Sequence, residues 1–312
     1  MPANLIDRNT KGVYVIAATP FTETGAVDFD SIDRMVDFYD EKGATGLTIL
    51  GIMGEANKLT PEESNAVASR ILKRTSGRLP VIVGVSGPGL DNLKALSAQV
   101  MDMGAAGVMV APTAGRPLED RVFNYFAEVC EALGPDVPVC FQDYPQTTGV
   151  PVSVDTILKL TRELPQIVML KHEDCPGLSK VSAVRSRSGS GDVPRMSILC
   201  GNGGLYLPQE MARGADGAMT GFAYPEMLVQ VVDLFHAGRA ERAEDVYDAY
   251  LPILRHEQQP VIGLAIRKAV LQKRGAIASA KVRAPGPKLN SVDMAELERL
   301  MARTEKKIAA LG

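Results

Sequence analysis

Eight short apolar runs alternate with amphipathic stretches through most of this chain, and that alternation restricts its fold more than any other feature. The runs cover residues 13–19, 46–50, 80–85, 107–112, 138–144, 166–173, 197–201 and 217–221. Near-continuous apolar runs of this length, closed by Gly and Pro, read as strands buried on both faces of a parallel sheet. The stretches between them have helical periodicity. Residues 28–42 place Ile32, Met35, Val36 and Tyr39 on one face. Thr60-Pro61-Glu62-Glu63 has the form of a helix start, with Thr60 as N-cap, Pro61 at the first helical position and Glu63 closing a capping box. Strict βα alternation, eight times over, predicts an α/β chain folded as a (β/α)8 TIM barrel. An open doubly wound sheet needs a topological switch point, and no Gly-rich dinucleotide fingerprint follows the first run.

The chain continues well past the eighth run. Residues 226–237 read as the last barrel helix, and 239–258, 261–274 and 291–311 as further helices. The expected organisation is a barrel over 1–238 and a C-terminal helical extension over 239–312, packed on its own barrel or at an oligomer interface. Residues 279–291, rich in Pro and Gly, read as a surface linker, and 186–194 as a plain flexible connection.

Composition narrows the function. The 312 residues suffice for one large α/β domain or two small ones. A net charge of -3 points to neither nucleic acid nor an acidic membrane surface as partner. No apolar run approaches the ~18 residues of a membrane span, and the start MPANLIDRNTKG lacks the apolar core of a secretory signal. Cys130, Cys140, Cys175 and Cys200 have no paired spacing, which fits reduced thiols in a cytoplasmic protein. His172, His236 and His256 form no ligand pattern with a cysteine, so neither a metal nor another cofactor is expected.

The sixth run carries the sharpest chemical signal. Ile167 to Glu173 reads IVMLKHE, an apolar strand that ends in Lys171. Desolvation lowers the pKa of an ammonium, and a neutral amine attacks a ketone to form a Schiff base. The alternative is a strand that stops at Leu170 and leaves Lys171 in solvent. In such barrels active sites lie at the C-terminal ends of the strands. Those ends carry Thr19-Pro20-Phe21, GIMGEANKL (51–59), APTAGRP (111–117), FQDYPQTTG (141–149), Lys171 with Glu173, CGNGG (200–204) and MTGFAYP (219–225).

Thr19-Pro20-Phe21, the Gly-x-x-Gly-Glu turn at 51–55, the Pro145-x-x-x-Gly149 turn and the strand-closing lysine occur in order. The chain thereby resembles the dihydrodipicolinate synthase / N-acetylneuraminate lyase family along nearly its whole length. The resemblance implies a barrel enzyme, usually tetrameric, with a Schiff base between Lys171 and a 2-keto acid, commonly pyruvate. It implies a small-molecule 2-keto acid as partner, bound near Thr19, Gly51, Ile52, Met53, Gly54, Thr147, Gly201 and Met219.

The departures are as informative. The family's hydroxyl residues inside the 51–55 turn, which touch the keto acid's carboxylate, are replaced by Ile52 and Met53, although backbone N–H groups of the turn can still hold an anion. The family's catalytic tyrosine place holds Gln142. Tyr144, two residues on, shares its face by strand period. The arginine place of the synthases holds Thr147, and the loop after the fourth strand offers Thr113-Ala114 where a tyrosine is usual. Glu173, on the face of Lys171, is the expected acid/base group. Gln142-Asp143 with Pro145, the Lys171-x-Glu173 pair and Gly217 to Gly221 also resemble the 2-keto-3-deoxy-L-arabonate dehydratases, sugar-acid members of the family; the turn at 51–55 follows them less closely.

His172 is expected to point into the helix layer, Glu55 to buttress its loop, and Cys175 to be inert. The turn from Gly201 to Gly204 either donates backbone N–H groups or simply joins strand to helix. The expected function is a class I lyase that dehydrates or cleaves a 2-keto-3-deoxy sugar acid or related 4-hydroxy-2-keto acid. Dihydrodipicolinate synthase is the alternative within enzymes, and a non-catalytic keto-acid sensor the alternative outside them.

Overall fold

The computed structural model describes residues 4–87, 89–113 and 119–311. Its eight strands are β1 (Gly12–Ile16), β2 (Gly46–Ile49), β3 (Val81–Gly84), β4 (Gly107–Val110), β5 (Val139–Asp143), β6 (Ile167–His172), β7 (Ser197–Cys200) and β8 (Gly217–Ala218). All neighbours pair in parallel, in chain order, and β8 closes on β1. The chain is a (β/α)8 TIM barrel. The expected strands overrun the ladders, most of all at 217–221, where only two residues pair. Backbone bonding nevertheless continues beyond β8: the Met219 N–H donates to Cys200 O at 2.8 Å, and the Ile16 N–H to Thr220 O at 2.9 Å. The closing seam requires glycine at 217, because a Cβ there would lie 1.9 Å from Gly12 O.

The helices are α1 (Phe29–Glu41), α2 (Pro61–Thr75), α3 (Leu90–Asp102), α4 (Glu119–Leu133), α5 (Pro145–Thr148), α6 (Val154–Glu163), α7 (Leu178–Arg187), α8 (Leu207–Ala212), α9 (Pro225–His236), α10 (Ala240–Glu257), α11 (Gly263–Lys273) and α12 (Ser291–Ala309). α1 buries Ile32, Met35, Val36 and Tyr39, the face its periodicity marks. α2 begins with the full capping box: the Glu63 N–H donates to Thr60 Oγ1 at 3.2 Å, and the Thr60 N–H to Glu63 Oε2 at 3.0 Å.

Two cores result from the strand period. Inside the barrel Tyr14, Ile16, Ile82, Met109, Met169, Leu199 and Met219 fill the lumen. Outside it the opposite strand faces meet the helices, and this cluster also contains Tyr247, Ile253, Leu254, Ile266 and Leu271 of the extension. Barrel and extension therefore share one continuous apolar core.

Two expected loops are more ordered in their bonding than their composition suggested. The segment 279–291 is not a bare surface linker. Ser279 is buried, and the Arg283 guanidinium clamps both oxygens of Glu63 at 2.6 and 2.7 Å, holding that carboxyl at about 2. The connection at 186–194 starts inside α7 and then closes a turn in which the Gly189 N–H donates to Val193 O at 2.9 Å.

Candidate active site

Strand register sets the site. Cys140 pairs with Met169 and Gln142 with Lys171 across β5 and β6. Met169 belongs to the lumen core, so Lys171 and Glu173 follow it on the inward face. The Glu173 N–H donates to Asp143 O at 2.9 Å, extending the pairing one residue beyond β6 and keeping Glu173 on that face. Lys171 Nζ lies 3.0 Å from Glu173 Oε2, and Gln142 Nε2 donates to the same oxygen at 2.6 Å. All three side chains are buried, Lys171 at 5% exposure.

The outward residues of the same strands form a separate network. His172 is fully buried in the helix layer, 4.0 Å from Asp143, and burial pushes its imidazole down to about 4. Burial pushes the Asp143 carboxyl up to about 6, against the pull of Lys180. Lys180, on α7, bonds Asp143 at 2.8 Å and Asp174 at 2.6 Å.

Two cavities open at the C-terminal ends of the strands. The inner one, about 80 Å³, is walled by Lys171, Glu173, Gln142, Tyr144, Ile52 and Met53 from the expected set, and by Asn202, Thr220, Gln258 and Arg267. The outer cleft, about 670 Å³, includes Gly51, Ile52, Gln142, Thr113, Thr147 and Thr148 in its lining. Ile52 and Gln142 belong to both walls. Tyr144 faces the inner cavity, from the position that caps α5.

Thr19, Gly54, Gly201 and Met219, also expected to bind, sit behind these walls. Thr19 spends its hydroxyl on Gly54 O at 2.6 Å and so braces the 51–55 turn instead of facing a ligand. Gly54 offers that carbonyl and is buried. Gly201 packs on the Glu173 side chain, where a Cβ would come within 2.2 Å of Cγ. Met219 is sealed in the lumen core, and Thr147 lies in the outer cleft. Of the 111–117 loop, residues 114–117, including Ala114, lie outside the described residues.

Glu55 does buttress its turn, but across a long span of sequence. It takes a left-handed conformation (φ 55°) between two short 3₁₀ turns. Its carboxylate accepts from Lys268 Nζ at 2.5 Å, Lys58 Nζ at 2.9 Å and the Arg283 N–H at 3.0 Å. Cys175 is exposed. Asn202 and Gly203 are walls of the inner cavity, and Asn202 Nδ2 donates to Glu173 O at 3.1 Å.

Arg267 and Gln258 were not legible as site residues. An arginine and a glutamine on helices well after the last strand read as solvated positions, and only the tertiary path of the extension brings them over the barrel mouth. Among the described residues no group of three or more His, Cys, Asp or Glu is placed to hold a metal, and no helix is long and apolar enough to cross a membrane.

A relative from Azospirillum brasilense, an L-2-keto-3-deoxyarabonate dehydratase, is 30% identical over 299 residues, covering 95% of this chain and 94% of its own. A 4-hydroxy-tetrahydrodipicolinate synthase from Aquifex aeolicus is 32% identical over 76% of this chain and 79% of its own. Among solved structures, a dihydrodipicolinate synthase from Rhodopseudomonas palustris superposes with a TM-score of 0.94 at 45% identity, covering 96% of this chain and 99% of that one. The model of the dihydrodipicolinate synthetase family matches residues 9–304. With the barrel, the ordered turns and a family match that spans nearly every described residue, this protein belongs to the dihydrodipicolinate synthetase family and is a lyase.

Proposed function

We propose that the protein dehydrates a 2-keto-3-deoxy sugar acid through a Schiff base on Lys171. The observation that carries this reading is the Lys171–Glu173–Gln142 cluster on the wall of the inner cavity, which adjoins a larger cleft through Ile52 and Gln142. The inner cavity suits the keto-acid head, and the cleft suits the hydroxylated remainder of the chain.

Chemistry follows from the contacts. Glu173, 3.0 Å from Nζ, takes a proton from the ammonium, and the freed amine adds to the C2 carbonyl. Glu173 returns that proton to the departing hydroxyl, and loss of water leaves an iminium. Its positive charge beside Glu173 favours the ionised carboxylate. The carboxylate removes a proton from C3, and the electron pair forms the enamine. Expulsion of the C4 hydroxyl, with a proton, completes dehydration; hydrolysis of the imine releases product and restores Lys171. Gln142, neutral and bonded to Glu173, fixes the direction of that carboxylate.

The name of the Azospirillum brasilense relative supports this substrate class. A second reading, dihydrodipicolinate synthase, is favoured by the name of the Rhodopseudomonas palustris structure. Against it stand Gln142 at the family's tyrosine place and Thr147 at the synthases' arginine place, the latter exposed in the outer cleft. We further infer a homo-oligomer, on the family resemblance.

The test is turnover on a panel of 2-keto-3-deoxy acids of different chain length, beside pyruvate with aspartate semialdehyde. Dehydration of a panel member with kcat/KM of ~10⁴ M⁻¹s⁻¹ or above, the ordinary enzyme range, is expected. Such a value for the synthase reaction, with none for the panel, selects the second reading. Borohydride trapping of pyruvate without any turnover selects the keto-acid sensor.

A further inference from the structure

Gln258 and Arg267 come from the C-terminal extension, and each brings a buried donor that has no partner among the described residues. Those atoms are Gln258 Nε2 and Arg267 Nη1, and both residues wall the inner cavity together with Lys171 and Glu173. Buried donors left unpaired are costly and uncommon, so two of them in one cavity call for an acceptor there. Their place in the mouth is at the ends of the last two strands. A Cβ on Gly203, after β7, would lie 2.0 Å from Gln258 Nε2, and one on Gly221, after β8, would lie 2.4 Å from Arg267 Nη1.

Charge decides which acceptor fits. Arg267 is 2% exposed and Glu257 1%. Arg267 Nε donates to Glu257 Oε1 at 2.7 Å, and Glu257 Oε2 accepts from the Ala223 N–H at 3.1 Å. The guanidinium is thus neutralised and fixed in direction by its own carboxylate, with Nη1 unspent. A further permanent anion on this pair would leave a buried negative charge uncompensated, which is costly. A hydroxyl brings no charge, and its oxygen has two lone pairs for the two donors. The keto acid's own carboxylate is left to the backbone N–H groups of the 51–55 turn, after β2.

We propose that Arg267 and Gln258 hold the C4 hydroxyl of the keto acid bound to Lys171 and stabilise it as it leaves. The inference rests on the Schiff-base dehydration above. Glu173 takes the proton from C3, and the enamine forms. The nitrogen's electron pair then restores the C2–N double bond, the C2–C3 pair moves to C3–C4, and the C4–O bond breaks with its pair on oxygen. That oxygen takes up the proton Glu173 removed from C3 and departs as water. Negative charge grows on the oxygen only during this step, and two donors already in place meet it without rearrangement. The extension thereby supplies the leaving-group side of a site whose amine and base lie at the end of β6.

Three measurements on the full-length protein separate the steps. Borohydride trapping of pyruvate reports the imine. Loss of the pyruvate methyl protons in deuterium oxide, followed by NMR, reports proton removal at C3. Only dehydration of the 2-keto-3-deoxy acid panel requires departure from C4. Arg267→Gln should lower the dehydration kcat about 10²-fold, the usual effect of removing one donor aimed at developing charge, with trapping and exchange close to wild type. Gln258→Met, which disturbs no ion pair, should lower it about 10-fold, the ordinary worth of one hydrogen bond, again with the two pyruvate readouts preserved. A merely structural role would lower exchange and dehydration together, and that result overturns the proposal; so does wild-type dehydration in both variants. Should Arg267→Gln fail to fold because Glu257 is left unpaired, Gln258→Met and the double variant Arg267→Gln with Glu257→Gln decide by the same ratio of dehydration to exchange. A wild type that traps no pyruvate refutes the Schiff-base reading, and one that traps and exchanges pyruvate but dehydrates no panel member refutes the dehydration. Either removes this subsite too, and each is distinct from a dehydrating wild type whose variants lose every step alike.

Discussion

Lys171 and Lys268 are both buried lysines beside glutamates, at 5% and 0% exposure, and they differ in what their ammonium hydrogens do. Lys268 Nζ donates to Thr19 O at 2.8 Å, Glu55 Oε1 at 2.5 Å and Lys281 O at 2.8 Å. It also sits over the Phe21 ring. An ammonium has three hydrogens, and all of those on Lys268 are used. Among the described residues Lys171 Nζ meets Glu173 Oε2, and the residue lies on the wall of the inner cavity. Burial lowers the pKa of Lys268, yet its hydrogens are held by three protein oxygens. The lysine proposed as nucleophile is thus set apart by its adjoining cavity and by its fewer partners among the described residues, and burial alone does not distinguish it from a structural one.

The contrast can be reversed most sharply at Lys171. Lys171→Arg keeps a positive charge but has no amine that deprotonates near neutral pH. Borohydride trapping of pyruvate should disappear in it and persist in folded Lys268→Met. The opposite pattern would exchange the two roles.

Glu173→Gln sharpens the comparison next, by removing the carboxylate that pairs with Lys171. The imine should still form, more slowly, with solvent taking the ammonium's proton in place of Glu173, while turnover on the active keto acid falls roughly 10²–10⁴-fold, as for loss of a general base. Wild-type turnover in this variant would remove Glu173 from the mechanism and make Tyr144→Phe the next variant to assay.

Lys268→Met tests the structural side. It strips the buried Glu55 carboxylate of its shortest ion pair, and such losses cost roughly 3–5 kcal/mol. A urea midpoint within about 0.5 kcal/mol of wild type, the range of neutral surface substitutions, would show that Lys268 does not hold the turn.

The smallest effect concerns Lys180, whose bonds to Asp143 and Asp174 place it between the two extremes. His172 titrates at about 4 in the fold against 6.5 free, so its contribution is complete above pH 6.5 and is lost as pH falls toward 4. Asp143 titrates at about 6 against 3.8, so its contribution is complete below pH 3.8 and is lost as pH rises toward 6. The two trends oppose each other. Asp143→Asn should expose the histidine alone, with stability dropping by up to roughly 3 kcal/mol from pH 6.5 to 4. Urea midpoints across that range, equally flat in variant and wild type, would exclude this opposition.

The barrel was legible in the sequence because each strand is an apolar run and each early helix has a marked start, as at Thr60 and Glu63. The place of Lys171 on the cavity wall, with Glu173 and Gln142 beside it, was legible because the period of a strand puts alternate residues on one face. Residues whose role depends on long-range packing were not. Thr19 and Met219 stand at strand ends, where ligands bind, yet one hydroxyl braces a turn and the other side chain fills the lumen. Arg267 and Gln258 reach the mouth from helices whose local pattern says only that they are helices.

Glu55 also bears on the order in which the molecule is made. It follows β2, near the start of the chain, but Lys268 lies 213 residues later and the Arg283 N–H 228 residues later. During synthesis N-terminal parts fold first, and loops of this length close at an entropic cost that grows only slowly with length. A nascent chain can therefore pair its early strands while the Glu55 carboxylate still waits for its ammonium. Thr19 O, bonded to Lys268 Nζ, waits with it. The Glu55 turn at the mouth of the barrel is completed only by residues made more than 200 positions after it, which ties the finished mouth to the synthesis of α11 and the segment that follows it.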